Sequence, residues 1–370
     1  MMTLSELTDP VSLARKLGVF DAVPNAMARF NGAVALTRAN LAGEPAPVAP
    51  SPFSVVAGLG GSRLLRYEPR VARRFREPVL ITPSVINRPY ILDLVDGNSV
   101  VQDLLDAGYA VYLIDWGAPG EAEEAAGFDT YVYERLRTFA EAACADAGAE
   151  KLHLFAQCLG GTMGAMLAAV DDSHLASLVL LTAPLGFEDD GLLSAWSRAP
   201  FFDAESFAEL FGHVPNWITQ PSFMTLRPLG QPAKLLRLYQ NLGSERFLDF
   251  FRALETWVND NVPLPKAFFV DLITQLYREN ALLEGGLVLG GKAVRLEAVR
   301  VPVLTIAASE DHIVPLSSAL VGHERFSSED KKAVTLQGGH IGIVVGGRVR
   351  RELVAHTTEL FDRHSEELAS

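Results

Sequence analysis

A cysteine stands between an apolar run and a pair of glycines in HLFAQCLGGTMGAM, residues 153–166. Cys158 follows LHLFA, which is typical of a buried strand, and precedes GGTMGAMLAAV, whose small and apolar residues favour a tightly packed helix. A nucleophile held between a strand and a helix by small residues is usually written G-x-S-x-G. This segment reads A-x-C-x-G, with Ala156 in place of the first Gly. The pattern predicts that Cys158 is a nucleophile on a sharp turn.

An acid and a histidine follow two later apolar runs. ASEDHIVP, residues 308–315, places Asp311 in a loop, and QGGHIGIVVGG, residues 337–347, exposes His340 between glycines and an apolar segment. The chain order nucleophile, acid, histidine is that of the α/β-hydrolase triad, in which each member follows a strand. We therefore predict that Cys158, Asp311 and His340 form a catalytic site.

The chemistry of acyl transfer explains these residue types. A thiol with an ordinary pKa of about 8.5 is mostly protonated at neutral pH, so a neighbouring imidazole has to accept its proton. His340 is the predicted base, and the N-terminus of the helix after Cys158 would also favour the thiolate. The oxyanion then needs N–H donors, which we predict at the backbone of Leu159 and of Val85 or Ile86.

The other cysteine and the other histidines have weaker contexts. Cys144, in the helix-like TFAEAACADAG, is predicted to be buried and inert. His312 lies beside Asp311 and either supports the site or only caps the loop. Six further histidines are predicted to be structural or at the surface: His153, His174, His213, His323, His356 and His364. No cluster has the spacing of metal ligands and no glycine-rich loop leads into GK[ST], so neither a metal nor a cofactor is expected.

Short apolar runs that alternate with helical patterns would position these side chains. From about residue 78 the runs are PVLIT, AVYLID, LHLFA, LVLLT, VPVLTIAA and AVTL, which are typical of strands buried on both faces. Between the first two, GNSVVQDLLDAG has helical spacing and ends on Gly108, a favourable helix stop. The alternation predicts a mostly parallel sheet, and together with the triad order it predicts an α/β-hydrolase fold.

A block rich in aromatic residues, with helical spacing, interrupts the alternation at 185–295. In an α/β protein a helical block at this point would cover the carboxyl ends of the strands, so we expect a cap. The predicted organisation is a helical arm with a proline-rich linker at 1–52, the first part of the core at 53–184, the cap at 185–295 and the rest of the core at 296–370.

Composition favours an ordinary globular enzyme. The 370 residues include 32 basic and 45 acidic side chains, a formal charge of −13 that argues against a general nucleic-acid binder. Two cysteines are too few for a disulfide framework. With no secretory pattern and no apolar stretch of about 18–20 residues, a cytoplasmic protein without a membrane span is expected. Six arginines form one cluster in the sequence: Arg63, Arg66, Arg70, Arg73, Arg74 and Arg76. Such a cluster could bind phosphate, although a solvated basic face is the more usual interpretation.

Six separated stretches together resemble the polyhydroxyalkanoate (PHA) synthases. They are INRPYILDL (86–94), VYLIDWGAPGE (111–121), CLGGT (158–162), RENALLEGGLVLGGKAV (278–294), DHIVP (311–315) and GGHIGI (338–343). The resemblance covers about residues 78–347. The LIDWG form and the short length are most similar to the class III or class IV catalytic subunits.

The resemblance implies an acyltransferase that polymerises (R)-3-hydroxyacyl-CoA into a polyester and releases coenzyme A, with short-chain units such as 3-hydroxybutyryl favoured. Cys158 matches the family's acyl-accepting nucleophile, His340 its base and Asp311 its catalytic aspartate. No cofactor is implied, since coenzyme A is part of the substrate. The implied partners are the growing polyester, a second copy in a homodimer, a smaller accessory subunit and the surface of a cytoplasmic polyester granule.

Two other functions rank below the synthase. A thioesterase or intracellular polyester depolymerase would use the same triad with water as the acceptor, and the fold does not distinguish it, because the choice of acceptor depends on water access. A non-catalytic granule scaffold is a distant alternative, since all three triad residues are present. Arg88, near the oxyanion loop, either contacts the coenzyme A phosphates or forms a structural salt bridge.

Overall fold

The structure, a computed structural model, describes residues 19–226 and 230–369 and contains two compact units. One unit comprises the described parts of Met1–Val48 and Pro228–Thr256, and the other comprises those of Ala49–Arg227 and Trp257–Ser370. Part of the predicted cap thus belongs to the first unit. The helical pattern predicted before residue 19 lies outside the described residues, and the predicted domain limits stay predictions.

The larger unit is built on an eight-stranded sheet. Its strands, in chain order, are β1 (Phe53–Leu59), β2 (Ser62–Tyr67), β3 (Val79–Thr82), β4 (Val111–Asp115), β5 (Leu152–Gln157), β6 (Leu175–Leu181), β7 (Val303–Ala308) and β8 (Lys331–Leu336). Two short ribbons lie outside it, Asp93–Val95 with Asn98–Ser99 and Val288–Leu289 with Lys292–Ala293.

The α-helices of the described residues follow in chain order. They are α1 (Val19–Ala42), α2 (Val100–Asp106), α3 (Arg137–Ala147), α4 (Leu159–Val170), α5 (Leu192–Ser197), α6 (Ala204–Phe211), α7 (Asn216–Thr225), α8 (Gly230–Asn241), α9 (Glu245–Asn259), α10 (Lys266–Asp271), α11 (Ala281–Glu284), α12 (Leu316–Leu320), α13 (Gly342–Val345) and α14 (Gly347–Arg363). Asp129–Leu136 and Leu272–Arg278 are π-helical, and the 3₁₀ turns are Pro89–Leu92, Glu121–Glu123, Leu296–Ala298 and His323–Arg325.

The order of the strands brings the predicted site together. Across the sheet they run β1-β2-β4-β3-β5-β6-β7-β8, with β2 antiparallel to both neighbours and every other pair parallel. Because parallel strands end at the same edge, the residues that follow β5, β7 and β8 share that edge. Cys158, Asp311 and His340 follow these three strands. The α/β-hydrolase fold is therefore confirmed.

Two helices show why the sequence folds locally as it does. The Ser99 hydroxyl caps α2 by accepting from the Gln102 backbone N–H at 3.0 Å, and Gly108 follows the helix with a φ of +92°. Helix α4 packs on β5 and β6, and its residues from Leu159 to Ala168 are all buried. This burial explains why α4 is made of small and apolar residues.

Two strand predictions were wrong in part. The sheet begins before residue 78, because β1 and β2 form an antiparallel pair at one edge that contains no continuous apolar run. At the other edge, β8 is not buried on both faces; of its six residues only Leu336 is buried. β8 lies at the edge of the sheet and has a single neighbouring strand, so it is less buried than a central strand. The apolar run AVTL therefore does not indicate a central strand here.

The smaller unit is helical in its described residues. The Arg29 guanidinium of α1 lies 5.2 Å from the Tyr239 ring of α8, and Lys234 pairs with Glu255 at 2.8 Å. Arg252 donates to the backbone carbonyl of Glu44 at 2.8 Å. The contacts of Arg29 and Glu44 join the N-terminal segment to residues more than 200 positions later in the chain.

Candidate active site

Cys158 occupies a strained turn between β5 and α4. Its φ of +54° and ψ of −130° lie outside the regions that L-residues normally adopt, which costs on the order of 1–3 kcal/mol. The backbone holds the turn on both sides, because the Cys158 N–H donates to Leu181 O at 2.9 Å and the Cys158 carbonyl accepts from Gly161 at 2.8 Å. This geometry presents the side chain at the end of the sheet, as a nucleophile elbow does.

Glycines make the close approach around the elbow possible. A Cβ on Gly160 would lie 2.2 Å from Thr82 O and 2.5 Å from Pro83 O, so α4 begins against the backbone at the end of β3. The replacement of glycine by Ala156 is accommodated by Gly164, where an added Cβ would stand 3.1 Å from the Ala156 Cβ. The departure from G-x-C-x-G therefore fits the packing.

Asp311 and His340 are joined directly. His340 Nδ1 lies 2.7 Å from Asp311 Oδ2, and the two side chains are 8% and 1% exposed. The other carboxylate oxygen, Oδ1, accepts from the backbone N–H groups of Ile313 at 2.8 Å and Val314 at 2.9 Å. A carboxylate fixed in this way orients the imidazole, so that Nε2 is left for the nucleophile.

Cys158 and His340 interact as a thiol–imidazole pair. Burial alone would lower the pKa of His340, but the charge of Cys158 and hydrogen bonds with Asp311 and Cys158 outweigh it and raise this pKa to about 10. The raised pKa favours a protonated His340 imidazole beside Cys158. The structure thus brings together the three residues that the sequence proposed as a triad.

The predicted oxyanion donors differ in their surroundings. Leu159 is the first residue of α4, and the N–H of a first helical residue has no acceptor within its own helix. The Ile86 N–H donates to Ser84 Oγ at 3.3 Å, and Ile86 lines the same cavity as Cys158, whereas Val85 is buried away from that lining. The assignment of the second donor stays a prediction.

A largely apolar cavity of about 520 Å³ contains the site. Cys158 and His340 line it together with side chains of the helical insertion, among them Trp196, Phe202, Phe207, Ile218, Phe223, Trp257, Phe269, Leu272 and Tyr277. The sequence predicted a cap core for most of these aromatics and did not indicate their place in the lining, since helical spacing alone does not show which face turns to a cavity.

Tyr277 is a polar member of this lining that the sequence did not single out. Burial, followed by the charges of Cys158 and Asp189, raises the pKa of its phenol. Its ring packs edge-on against Phe187, with centroids 5.1 Å apart. Its position directly before the RENALLEGG stretch is the one sequence signal that could have drawn attention to it.

The remaining residues singled out from the sequence lie elsewhere or have structural partners. Cys144 is buried in α3, and burial raises the pKa of its thiol to about 11. His312 is exposed and does not line the cavity. Arg88 does line it, and its Nε lies 3.5 Å from Asp260 Oδ1, as expected of a salt bridge.

The arginine cluster forms a paired face. Arg63 binds Asp115, Arg66 binds Asp146 at 3.1 Å, and Arg70 binds Asp106 at 2.8 Å. Arg73 donates to the backbone carbonyls of Phe75 and Ala147 at 2.8 Å. Arg74 and Arg76 pair with Glu367 and Glu366 near the C-terminus. Among the described residues, no group of three or more His, Cys, Asp or Glu side chains could hold a metal ion, and no helix is long and apolar enough to cross a membrane.

The sheet, the elbow, and the acid and histidine after later strands define a protein of the α/β-hydrolase fold. The family model for the alpha/beta hydrolase fold matches residues 91–346. Among solved structures, a hydrolase from Pseudomonas aeruginosa is similar, with a TM-score of 0.54 and 17% identity over 84% of this chain and 98% of that one. At this identity the likeness shows the fold alone.

Sequence relatives give the family. The model for the N-terminus of poly-beta-hydroxybutyrate polymerase (PhaC) matches residues 45–104. The poly(3-hydroxyalkanoate) polymerase subunit PhaC of Allochromatium vinosum is 32% identical over 278 residues, which cover 75% of this chain and 78% of that protein. The subunit of the same name from Haloferax mediterranei is 32% identical over 321 residues, which cover 86% of this chain and 65% of that protein. This chain belongs to the poly(3-hydroxyalkanoate) polymerase family.

Proposed function

We propose that this protein polymerises (R)-3-hydroxyacyl-CoA, with short-chain units such as 3-hydroxybutyryl favoured, through a covalent thioester on Cys158. The observation that carries the proposal is the elbow cysteine, paired with His340 and Asp311 inside a largely apolar cavity. Membership of the polymerase family supports the choice of substrate class. The active enzyme is an acyltransferase that works without a metal or redox cofactor.

The first step transfers the acyl group to the enzyme. The Cys158 thiolate attacks the thioester carbonyl, and the oxyanion that forms is stabilised by the Leu159 N–H and a donor from the loop after β3. When the tetrahedral intermediate collapses, the C–S bond to coenzyme A breaks and the leaving thiolate takes the proton of the His340 imidazolium. The products are an acyl-Cys158 thioester, free coenzyme A thiol and neutral His340.

The second step extends the chain. Neutral His340 removes the proton from the 3-hydroxyl group of an incoming unit or of the growing chain end as its oxygen attacks an acyl thioester. An ester bond forms and the thioester bond breaks. When that bond is to Cys158, thiolate and imidazolium are restored together, so one proton is passed back and forth and the cycle balances.

The cavity supports polymerisation over hydrolysis. Its lining is mainly apolar side chains, which keep water from the acyl-enzyme and leave a hydroxyl group of bound substrate as the favoured acceptor. The acyl-Cys158 thioester is as activated as the coenzyme A thioester from which it forms, so the attack of a hydroxyl group on it loses little driving force. Both the apolar cavity and the membership of the polymerase family therefore support polymerisation as the function.

We further propose that the protein acts as a homodimer with a smaller accessory subunit at the surface of a cytoplasmic polyester granule. The relatives are named as polymerase subunits, which supports a partner subunit. Apolar side chains that are 42% to 90% exposed support contact with a partner or with polyester: Leu192, Trp196, Phe201, Leu210, Trp217 and Met224.

The test incubates the purified protein with (R)-3-hydroxybutyryl-CoA, alone and with an accessory subunit, and follows free thiol and insoluble polyester. We expect thiol release matched by polymer, with both lost in Cys158→Ala. Cys144→Ala is the matched control, since Cys144 is buried in α3 outside the cavity, and it should keep both products. Thiol release with only free hydroxy acid would identify a hydrolase and overturn the proposal.

A further inference from the structure

Two segments that are distant in sequence meet beside the nucleophile. The loop after β3, residues 84–88, which we call the oxyanion loop, contributes Ser84, Ile86, Asn87 and Arg88 to the cavity that contains Cys158. Residues 257–261 contribute Trp257, Val258 and Asn261 to the same lining. The two segments are bonded directly to each other, and these contacts restrain the oxyanion loop.

An asparagine pair joins the segments. Asn87 and Asn261 form an isolated antiparallel bridge, and the Asn87 side-chain amide donates to Asn261 Oδ1. The Asn261 side-chain amide in turn donates to the Val258 backbone carbonyl at 3.2 Å. The Asn261 backbone carbonyl accepts from the Asn216 side-chain amide at 3.0 Å. Asn261 is therefore held by α7 and by its own segment while it holds Asn87.

A second set of contacts reinforces the pair. Buried Trp257 donates its indole N–H to the Arg88 carbonyl at 2.8 Å. Asp260 lies 3.5 Å from the Arg88 guanidinium and accepts from the Tyr90 hydroxyl at 3.0 Å. The carboxylate of Asp260 is 46% exposed, so its ion pair contributes little, and the buried indole and the asparagine pair carry the restraint.

We propose that Asn261 and Trp257 are positioning residues that hold the oxyanion loop against Cys158, and that acylation of Cys158 depends on this clasp. The inference rests on the proposed function, because it assigns the clasp to the formation of an acyl-Cys158 thioester. Asn87 directly follows Ile86, one of the two candidate loop donors to the oxyanion. Whichever of Val85 and Ile86 supplies the second N–H, a shift of the bridge would move that donor relative to the thioester carbonyl.

The size of the effect follows from what the loop must do. An oxyanion donor acts over about 2.7–3.1 Å, and a misplacement of about 1 Å can lower a rate by about 100-fold. Trp257 would still restrain the loop after loss of the asparagine pair, so we expect Asn261→Leu to slow acylation by about 10- to 100-fold. Asn87→Leu should have a similar effect, since it removes the donor of the same bond.

Two reactions of the Cys158 thiol distinguish a displaced oxyanion loop from a general loss of structure at the site. Acylation by (R)-3-hydroxybutyryl-CoA passes through an oxyanion, and its rate is measured by mass spectrometry of rapidly quenched protein. Alkylation by iodoacetamide displaces iodide at carbon and forms no oxyanion, so it reports only the reactivity of the thiolate. In Asn261→Leu we expect slow acylation with an unchanged alkylation rate.

Further variants make the test specific. Trp257→Phe keeps an aromatic ring but removes the N–H to Arg88, and we expect a three- to tenfold loss of acylation even if the leucine variants fold poorly. The double variant Asn87→Leu with Asn261→Leu should be no slower than the slower single variant, because both remove one shared bond. Gln275→Leu is the matched control: its amide binds Asp271 at 2.7 Å outside the cavity lining, and its acylation should be unchanged.

The outcomes distinguish the clasp from the function on which it rests. Wild-type acylation rates in Asn261→Leu and Trp257→Phe, while Cys158→Ala is inactive, would overturn the clasp and leave the proposed function intact. Equal loss of acylation and alkylation, or additive effects in the double variant, would also overturn it. Thiol release that persists in Cys158→Ala would overturn both.

Discussion

His340 Nδ1 lies 2.7 Å from Asp311 Oδ2, and both side chains are almost fully buried. Asp311 Oδ1 is already occupied by the N–H groups of Ile313 and Val314, so the carboxylate cannot rotate without losing two hydrogen bonds. The aspartate thereby fixes both the direction of the imidazole and the nitrogen that carries the proton toward Asp311. Asp311 therefore orients the His340 imidazole, which lines the same cavity as Cys158.

Asp311→Asn tests this orientation. The two backbone N–H groups require an oxygen, so the asparagine amide nitrogen would face His340 Nδ1, which must then accept a hydrogen bond and leave its proton on Nε2. This is the wrong tautomer for accepting the Cys158 proton. We expect turnover to fall at least about 100-fold. Thiol release within threefold of wild type would contradict an orienting role.

The two cysteines should differ sharply in reactivity. Burial raises the pKa of the Cys144 thiol to about 11, whereas Cys158 lines the cavity beside an imidazolium. Iodoacetamide should label one thiol per native chain, at Cys158, and two per unfolded chain. Peptide mapping checks the position, and native labelling at Cys144 would refute the assignment.

The pH dependence of that labelling tests the pair itself. Because the pKa of His340 is raised to about 10, the imidazole keeps its proton and its positive charge from pH 7 to pH 9, so we expect that charge to favour alkylation of Cys158 at both ends of the interval. His340→Gln removes the imidazolium, and a thiol with an ordinary pKa of about 8.5 should react about 20-fold faster at pH 9 than at pH 7. Parallel pH profiles for the two proteins would contradict a thiolate–imidazolium pair.

Gly160→Ala tests the packing that makes the elbow possible. The new methyl group would lie 2.2 Å from Thr82 O and 2.5 Å from Pro83 O, which are backbone atoms that cannot rotate away. We expect a loss of about 1–3 kcal/mol in the free energy of unfolding, together with slower thiol release, because α4 and the backbone at Thr82 and Pro83 must separate. Thermal unfolding measures the first effect.

The control for this substitution is Gly120→Ala. A methyl group there would meet nothing within 4 Å, and the residue has an ordinary φ of −88°. Its stability should stay within about 0.5 kcal/mol of wild type. Equal effects at the two glycines would show that the close approach at Gly160 is not the cause.

The sequence predicted those parts of the fold that rest on local patterns. The central strands β3 to β7 are buried on both faces, so they appear in the sequence as apolar runs. The turn after β5 requires small residues, and these are visible in the sequence around Cys158. The edge pair of β1 and β2 was not predicted, because β1 is mostly exposed and β2 carries exposed arginines between its buried residues. Arginines of β2 were therefore read as a basic face.

The walls of the site could not be predicted in the same way. Cys158, Asp311 and His340 were predicted as a site because each follows a strand, in a chain order with a known meaning. Asn87 and Asn261 are 174 residues apart, and no local pattern marks either as a partner of the other. Such contacts depend on how the helical insertion packs, which the spacing of its apolar residues does not specify.

His153 makes stability depend on pH away from the active site. Its Nδ1 lies 2.8 Å from Ser177 Oγ, its Nε2 lies 2.8 Å from Ser365 Oγ, and its ring stacks on Phe361 at 4.4 Å. Burial first, and then the charge of His364, lowers the pKa of His153 to about 3. A buried neutral histidine of this kind resists protonation in the folded state.

The sign of the effect follows from proton uptake. Below the ordinary pKa of about 6.5 the unfolded chain binds a proton that the folded chain does not, so this contribution is fully present above pH 6.5 and is lost as the pH falls toward 3. Each pH unit in that window should cost about 1.4 kcal/mol. Urea unfolding at pH 7, 6 and 5 should show a steeper loss for wild type than for His153→Gln, which has no such titration, whereas the control variant at partly exposed His174, His174→Gln, should match wild type. Equal slopes for wild type and His153→Gln would contradict the assignment of this pH dependence to His153.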